Sequence, residues 1–161
     1  MAHRLRSENL GFAETAPVRL VFAAEVSAPP DVVYRALADD VEGWPGWFTA
    51  VTAAVPVGAG AGREVRLRGG VVFRETVLAT EPGERYAYRV DTTTTTAPGM
   101  KALVEEWRLT PAGSGTRVRW TFAADGSPLF RFILRRARGP VGRSFRDAVR
   151  NLDRRLTAAP A

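Results

Sequence analysis

Apolar and polar positions along this 161-residue chain fall into two repeating patterns that change places along its length. Leu20, Phe22, Ala24 and Val26 alternate with Arg19, Val21, Ala23 and Glu25, the period of a strand. Ser27-Ala28-Pro29-Pro30-Asp31 then breaks the chain, and Val32, Val33, Ala36 and Leu37 give the apolar side of a short helix ending near Asp39-Asp40. Val41 to Phe48 is too interrupted for a long helix and predicts a turn or two of helix or an aromatic-rich loop. Six strand signals follow, over residues 51–57, 63–68, 71–80, 85–96, 101–110 and 116–123, each bounded by glycine, proline or serine turns. Met1 to about Pro17 has little periodicity and is expected to be a flexible N-terminal arm; residues 18–158 are expected to form a single domain.

From Pro128 the spacing changes to three and four. Phe130, Ile133, Leu134, Ala137, Val141, Phe145, Ala148, Val149, Leu152 and Leu156 fall on one side of a helix, within an arc of about 160°. The phase survives Gly139-Pro140, which predicts one long helix kinked there. Pro140 has no N–H for the carbonyl of Arg136, so the bend is expected at that point.

The turns predict which strand residues share a face. A two-residue turn at Pro82-Gly83 pairs Ala79 with Tyr86, Val77 with Tyr88 and Glu75 with Val90. A second at Pro98-Gly99 pairs Tyr88 with Leu109, Val90 with Trp107 and Thr92 with Glu105, and the Ala112–Gly115 loop sets Leu109 by Val118 and Trp107 by Trp120. Extending through Arg68-Gly69-Gly70 brings Arg63 opposite Glu75. One face then holds Phe73, Glu75, Tyr86, Tyr88, Thr92, Glu105, Trp107, Trp120 and Phe122; the other is rich in arginine and threonine and is read as solvent-facing. The predicted class is α+β: a curved antiparallel sheet of about seven strands (strand, two short helices, six strands) wrapped around a long kinked C-terminal helix. The threonine run Thr92–Thr96 is read as a long hairpin arm.

Composition narrows the chemistry. The chain has no cysteine and one histidine, His3, which removes thiolate chemistry, Ser-His-Asp catalysis and histidine-based zinc sites; no metal or cofactor is expected. The net charge of +6 is concentrated in residues 128–158, where nine arginines face two aspartates for +7, leaving −1 elsewhere. Residues 1–9 lack the apolar core of a signal peptide and no run approaches a membrane span, so a cytoplasmic protein, monomer or homodimer, is the expectation.

Three stretches carry a family resemblance: Val26-Ser-Ala-Pro-Pro-Asp-Val-Val-Tyr-Arg-Ala-Leu-Ala-Asp with the Trp44/Trp47 pair after it, Glu75 to Tyr88, and Leu109-Thr-Pro-Ala-Gly-Ser-Gly-Thr-Arg-Val-Arg-Trp. The chain resembles, from about residue 18 to 157, the START-like or SRPBCC superfamily, with its helix-grip fold and its polyketide cyclase/dehydrase-like members. That resemblance implies a cavity between sheet and last helix that holds an apolar molecule, lipid- or polyketide-like. It implies no fixed catalytic motif.

The candidate ligand-binding residues are accordingly Trp44, Trp47 and Phe48 near the mouth, and Arg63, Phe73, Glu75, Tyr86, Tyr88, Thr92, Glu105, Trp107, Trp120 and Phe122 on the sheet. Phe130, Leu134 and Val141 are the candidates on the helix. Glu75, Glu105 and Tyr88 are the candidate catalytic groups, because buried carboxyls with raised pKa values can move protons. Glu75 also has a purely structural reading, as an ion pair with Arg63, and the aromatics one as plain core. The arginine-rich side of the last helix has two readings: a solvated face, or a surface for an anionic partner. Nucleic acid is not expected, since the aromatics map to the sheet interior and no recognition motif is present.

Overall fold

The computed structural model describes residues 2–94 and 99–158. In chain order it contains β1 (His3–Arg4), α1 (Phe12–Thr15), β2 (Val18–Val26) and α2 (Pro30–Tyr34), which runs on through a wider helical turn over Arg35–Asp39 and a tighter one over Val41–Gly46. Then come β3 (Val51–Val57), β4 (Gly62–Leu67), β5 (Val72–Glu81), β6 (Arg85–Thr93), β7 (Met100–Ala112) and β8 (Gly115–Gly126). The chain closes with α3 (Pro128–Arg136) and α4 (Arg138–Thr157). The strands form one antiparallel sheet in the order β2-β8-β7-β6-β5-β4-β3, with β1 paired to β6. Its inner face and the last two helices together bury one large apolar core.

Two of the turn-derived registers are found as expected: Arg63 opposite Glu75 between β4 and β5, and Leu109–Val118 and Trp107–Trp120 between β7 and β8. Between β5 and β6, Val77–Tyr88 and Glu75–Val90 hold, but the turn is longer. Glu81 pairs with Arg85, a bulge follows Val77, and Ala79 meets Ala87 instead of Tyr86. A second bulge, between Arg74 and Glu75, places Thr92 opposite Arg74 and Thr93 opposite Phe73. The β6–β7 register differs most: Trp107 pairs with Tyr86, four residues from the expected Val90. A shift by an even number leaves every side chain on its own face, so the predicted apolar face survives a wrong pairing. The part of the expected hairpin arm at 95–98 lies outside the described residues.

The reason β6 and β7 part is the N-terminal segment. His3 and Arg4 pair with Thr93 and Thr92, the Leu5 N–H donates to the Asp91 carbonyl (2.8 Å), and the Arg6 N–H donates to the Lys101 carbonyl (2.8 Å). Leu5 is buried in the main core. Phe12 and Ala13 of α1 cover Ala102, Val104 and Ala123 on the outer side of the sheet, which is therefore dry there and not solvent-facing throughout. The segment expected to be a flexible arm is thus stitched into the sheet by backbone bonds that no side-chain period announces. Leu5→Ala is expected to lower stability by about 2–4 kcal/mol in urea unfolding, as for other buried leucines; a free arm would leave the midpoint unmoved.

The last helix breaks at Ala137 (φ −82°, ψ 2°), directly after Arg136, whose carbonyl is the one that Pro140 has no N–H to reach. Pro140 itself lies in the first turn of α4. Phe130 and Leu134 anchor α3, and Phe145, Ala148, Val149 and Leu152 anchor α4. Gly142 lets α4 lie close on β2, for a Cβ there would stand 2.9 Å from the Phe22 ring. Ile133, expected inside, points out, because the break gives α3 its own phase.

Candidate functional site

Between the sheet and α4 lies a cavity of about 290 Å³. Its walls come from three places. The aromatic wall is Trp44 and Phe48 from the segment after α2, with Phe73, Tyr88, Trp120 and Phe122 from β5, β6 and β8. The aliphatic wall is Ala50, Val51, Val65 and Leu67 on β3 and β4 and their approach, and Val141 and Ser144 close it from α4. The polar groups on its lining are Arg63, Glu75 and Glu105, with the Tyr88 and Ser144 hydroxyls.

The charged groups are arranged as a pair and a neighbour. Arg63 and Glu75, cross-strand partners, form a buried ion pair through Nε and Oε1. The guanidinium carbon sits 4.2 Å from the Trp44 ring centroid and 4.0 Å from that of Tyr88, so two aromatic faces flank the cation. Arg63 Nη1 has no hydrogen-bond partner among the described residues, and these rings offset part of that cost. Glu105 Oε1 accepts from Tyr88 Oη (2.9 Å) and from Trp120 Nε1 (3.0 Å), while Trp107 Nε1 donates to Tyr88 Oη (3.2 Å).

Both buried carboxyls therefore lie in the field of one guanidinium, which is paired with Glu75. Burial pushes Glu75 up to about 7, against the pull of Arg63 and with a further push from Glu105. Glu105 is likewise raised by burial, with Arg63 and the bonds from Tyr88 and Trp120 opposing. The Tyr88 hydroxyl is raised well above its usual value, first by burial and then by Glu105. Burial alone would lower Arg63, but Glu75 and the two tyrosines raise it, so the guanidinium stays charged. The consequence is a site with one acid more than it has bases, in which a proton is retained near neutral pH.

Of the residues singled out from the sequence, Trp44, Phe48, Arg63, Phe73, Glu75 and Tyr88 come together on the cavity lining, as do Glu105, Trp120, Phe122 and Val141. The three candidate catalytic groups are among them. The others lie elsewhere. Trp47 packs behind Trp44 (ring centroids 4.6 Å apart), and Trp107 is sealed in the core against Trp120. Tyr86 faces a second depression, of about 300 Å³, with Val41, Pro56 and Val77. Phe130 and Leu134 are buried in the core under α3, and the bulge turns Thr92 toward Arg74. Val65 and Leu67 were legible from the Arg63–Glu75 register, which continues to Val65–Phe73. Ser144 stands three residues from Val141, but its hydroxyl hid it from a search for apolar positions.

Residues 17–157 match the family described as polyketide cyclase / dehydrase and lipid transport. The chain belongs to this family. An uncharacterized protein of Mycobacterium tuberculosis is 34% identical over 155 residues, spanning 93% of this chain and 90% of that one. Among solved structures, the XoxI protein of Bacillus cereus superposes with a TM-score of 0.70 at 13% identity, over 87% of this chain and 96% of that one. A START superfamily protein from Mycobacterium smegmatis gives 0.65 at 12% identity, over 87% and 97%. The fold is START-like, and at these identities the structural likeness speaks to the fold alone. No helix among the described residues is long and apolar enough to cross a membrane.

Proposed function

We propose that the protein binds a small hydrophobic or aromatic molecule, lipid- or polyketide-like, in the cavity between the sheet and α4. The observation that carries this is the lining itself: aromatic and aliphatic walls around a Glu105 whose carboxyl already holds two donors. An apolar enclosure with few fixed polar groups is the usual form of a small-molecule site. At about 290 Å³ the cavity stands at the lower end of the range of about 300–1,000 Å³ for such sites. It suits a compact ring system with one hydrogen-bonding group better than a sterol or a long acyl chain. Trp44 and Trp120 line it, so a bound ligand is expected to change tryptophan emission. A titration with bicyclic and tricyclic aromatic ketones and phenols, fatty acids and sterols is expected to give saturable quenching with the first group; no response from any of them contradicts the proposal.

A second reading is an enzyme of the polyketide cyclase/dehydrase kind. Tyr88 and Glu105 are in direct contact, and Glu75 near 7 sits where a general acid or base works well at neutral pH. In such a reaction a carboxylate would remove a proton beside a carbonyl, and Tyr88 would turn its one hydroxyl proton from Glu105 to that carbonyl oxygen. Glu75→Gln and Glu105→Gln are expected to abolish turnover while keeping binding. Unchanged turnover in both would remove this reading and leave the binding one intact.

A further inference from the structure

We propose that the outward face of α3 is a docking surface for an anionic lipid bilayer. Leu129, Phe132 and Ile133 project from it with 61%, 54% and 52% of their surface exposed, and with Val55 and Val57 at the far edge strand β3 they are the large apolar side chains left in water among the described residues. Their spacing of three and four residues places them within an arc of about 100° on one side of the helix, beside the arc that buries Phe130 and Leu134. Three adjacent large apolar side chains on a helix of nine residues form a patch and not a scatter, and such patches mark contact surfaces.

The charge around the patch selects the partner. From Gly126 to Arg146 the sequence has six arginines and no acidic residue. Arg131 is neutralised by Asp125 (2.7 Å), whereas Arg135, Arg136, Arg138, Arg143 and Arg146 are exposed. The Arg136 guanidinium carbon lies 5.1 Å from the Phe132 ring centroid, so a cation stands inside the apolar patch and not only at its border. A second copy of this chain docked through the same face would set arginine against arginine, which disfavours self-association. An anionic bilayer accepts both halves of the face. The apolar tips enter the boundary between headgroups and acyl chains, and each nearby arginine is drawn to the negative surface. This face is separate from the cavity lining and stands whether or not the cavity reading does.

The test is co-sedimentation of the whole protein with vesicles of phosphatidylcholine alone and of equal parts phosphatidylcholine and phosphatidylglycerol, across a salt series. We expect binding to the anionic vesicles that falls roughly tenfold or more in the triple variant Leu129→Ser/Phe132→Ser/Ile133→Ser, and comparably in Arg136→Glu. These side chains are in water already, so the variants should keep the wild-type melting temperature. Anionic-vesicle binding unchanged in the triple variant overturns the proposal, since charge alone then suffices. Equal binding to neutral vesicles overturns it too, as does wild-type protein that binds neither. A wild-type dimer that the triple variant converts to monomer would assign the patch to self-association instead.

Discussion

Replacing Arg63 by methionine is expected to destabilise the protein by about 3–5 kcal/mol at pH 8, a large fraction of the stability of a domain of this size. The side chain is 2% exposed and is the cationic partner of Glu75 in the buried pair. Removing it leaves the Glu75 carboxylate without its cation in an apolar cavity, near a second carboxyl, Glu105, whose only stabilisers are the bonds from Tyr88 and Trp120. The same substitution is expected to cost less at pH 5, where Glu75 escapes the penalty by keeping its proton. Arg63→Met combined with Glu75→Leu should recover most of the loss, because two apolar side chains of similar volume need no partner. Urea unfolding of the two variants at both pH values checks this. A single variant as stable as wild type at pH 8 would show that the pair is not what holds the carboxyl in place.

The second large effect is on the pH dependence of the wild-type protein. In the unfolded chain Glu75 loses its proton near 4.5, and in the folded protein near 7. Between those values the folded state binds more protons, so raising the pH favours unfolding, and the loss is complete once the pH passes the folded value. The expected decline from pH 4.5 to 7.5 is about 3 kcal/mol from Glu75, and Glu105 acts in the same direction. Burial sets this shift first, with Arg63 on β4 opposing it and Glu105 on β7 and Asp91 on β6 adding to it. At the acid end Asp125 works the other way. Burial would raise it, but Arg6, Arg131 and the Gly126 N–H hold it below 3.8, so its contribution is lost as the pH falls through that lowered value. Stability is therefore expected to peak near pH 4–5. A plot of unfolding free energy against pH that instead rises from 5 to 7.5 contradicts the picture of two buried carboxyls in the field of one cation. Glu75→Gln should flatten the neutral limb.

What the sequence made legible follows from what a side-chain period can encode. Alternation assigns faces, and faces tolerate even errors in register, which is why Tyr86, Tyr88 and Trp107 were placed inward although their β6–β7 partners were four residues off. The short Ala112–Gly115 turn has little freedom, so its strands paired as expected. Bulges add an odd residue, and only that moves a side chain across the sheet; Thr92 was misplaced for this reason. β1 is held by backbone hydrogen bonds, and its two residues are too few to display a period. The broken phase at Ala137 turned Ile133 outward, which no continuous helical wheel foretells. The cavity is implied by the family resemblance, and the polar groups that the sequence sets on the apolar face, Arg63, Glu75 and Glu105, stand on its lining.

If this cavity is the binding site, filling it removes binding. Ser144 lies on the lining in α4, and Ser144→Phe places a ring in the space while leaving Arg63, Glu75 and Glu105 untouched. Binding of whichever aromatic ligand quenches the wild-type tryptophans should be measured in both proteins, alongside their melting temperatures. Ser144→Phe is expected to lose affinity by a factor of ten or more while melting at or above the wild-type temperature. Undiminished affinity in a protein whose cavity is filled would place the ligand elsewhere and contradict this assignment of the site.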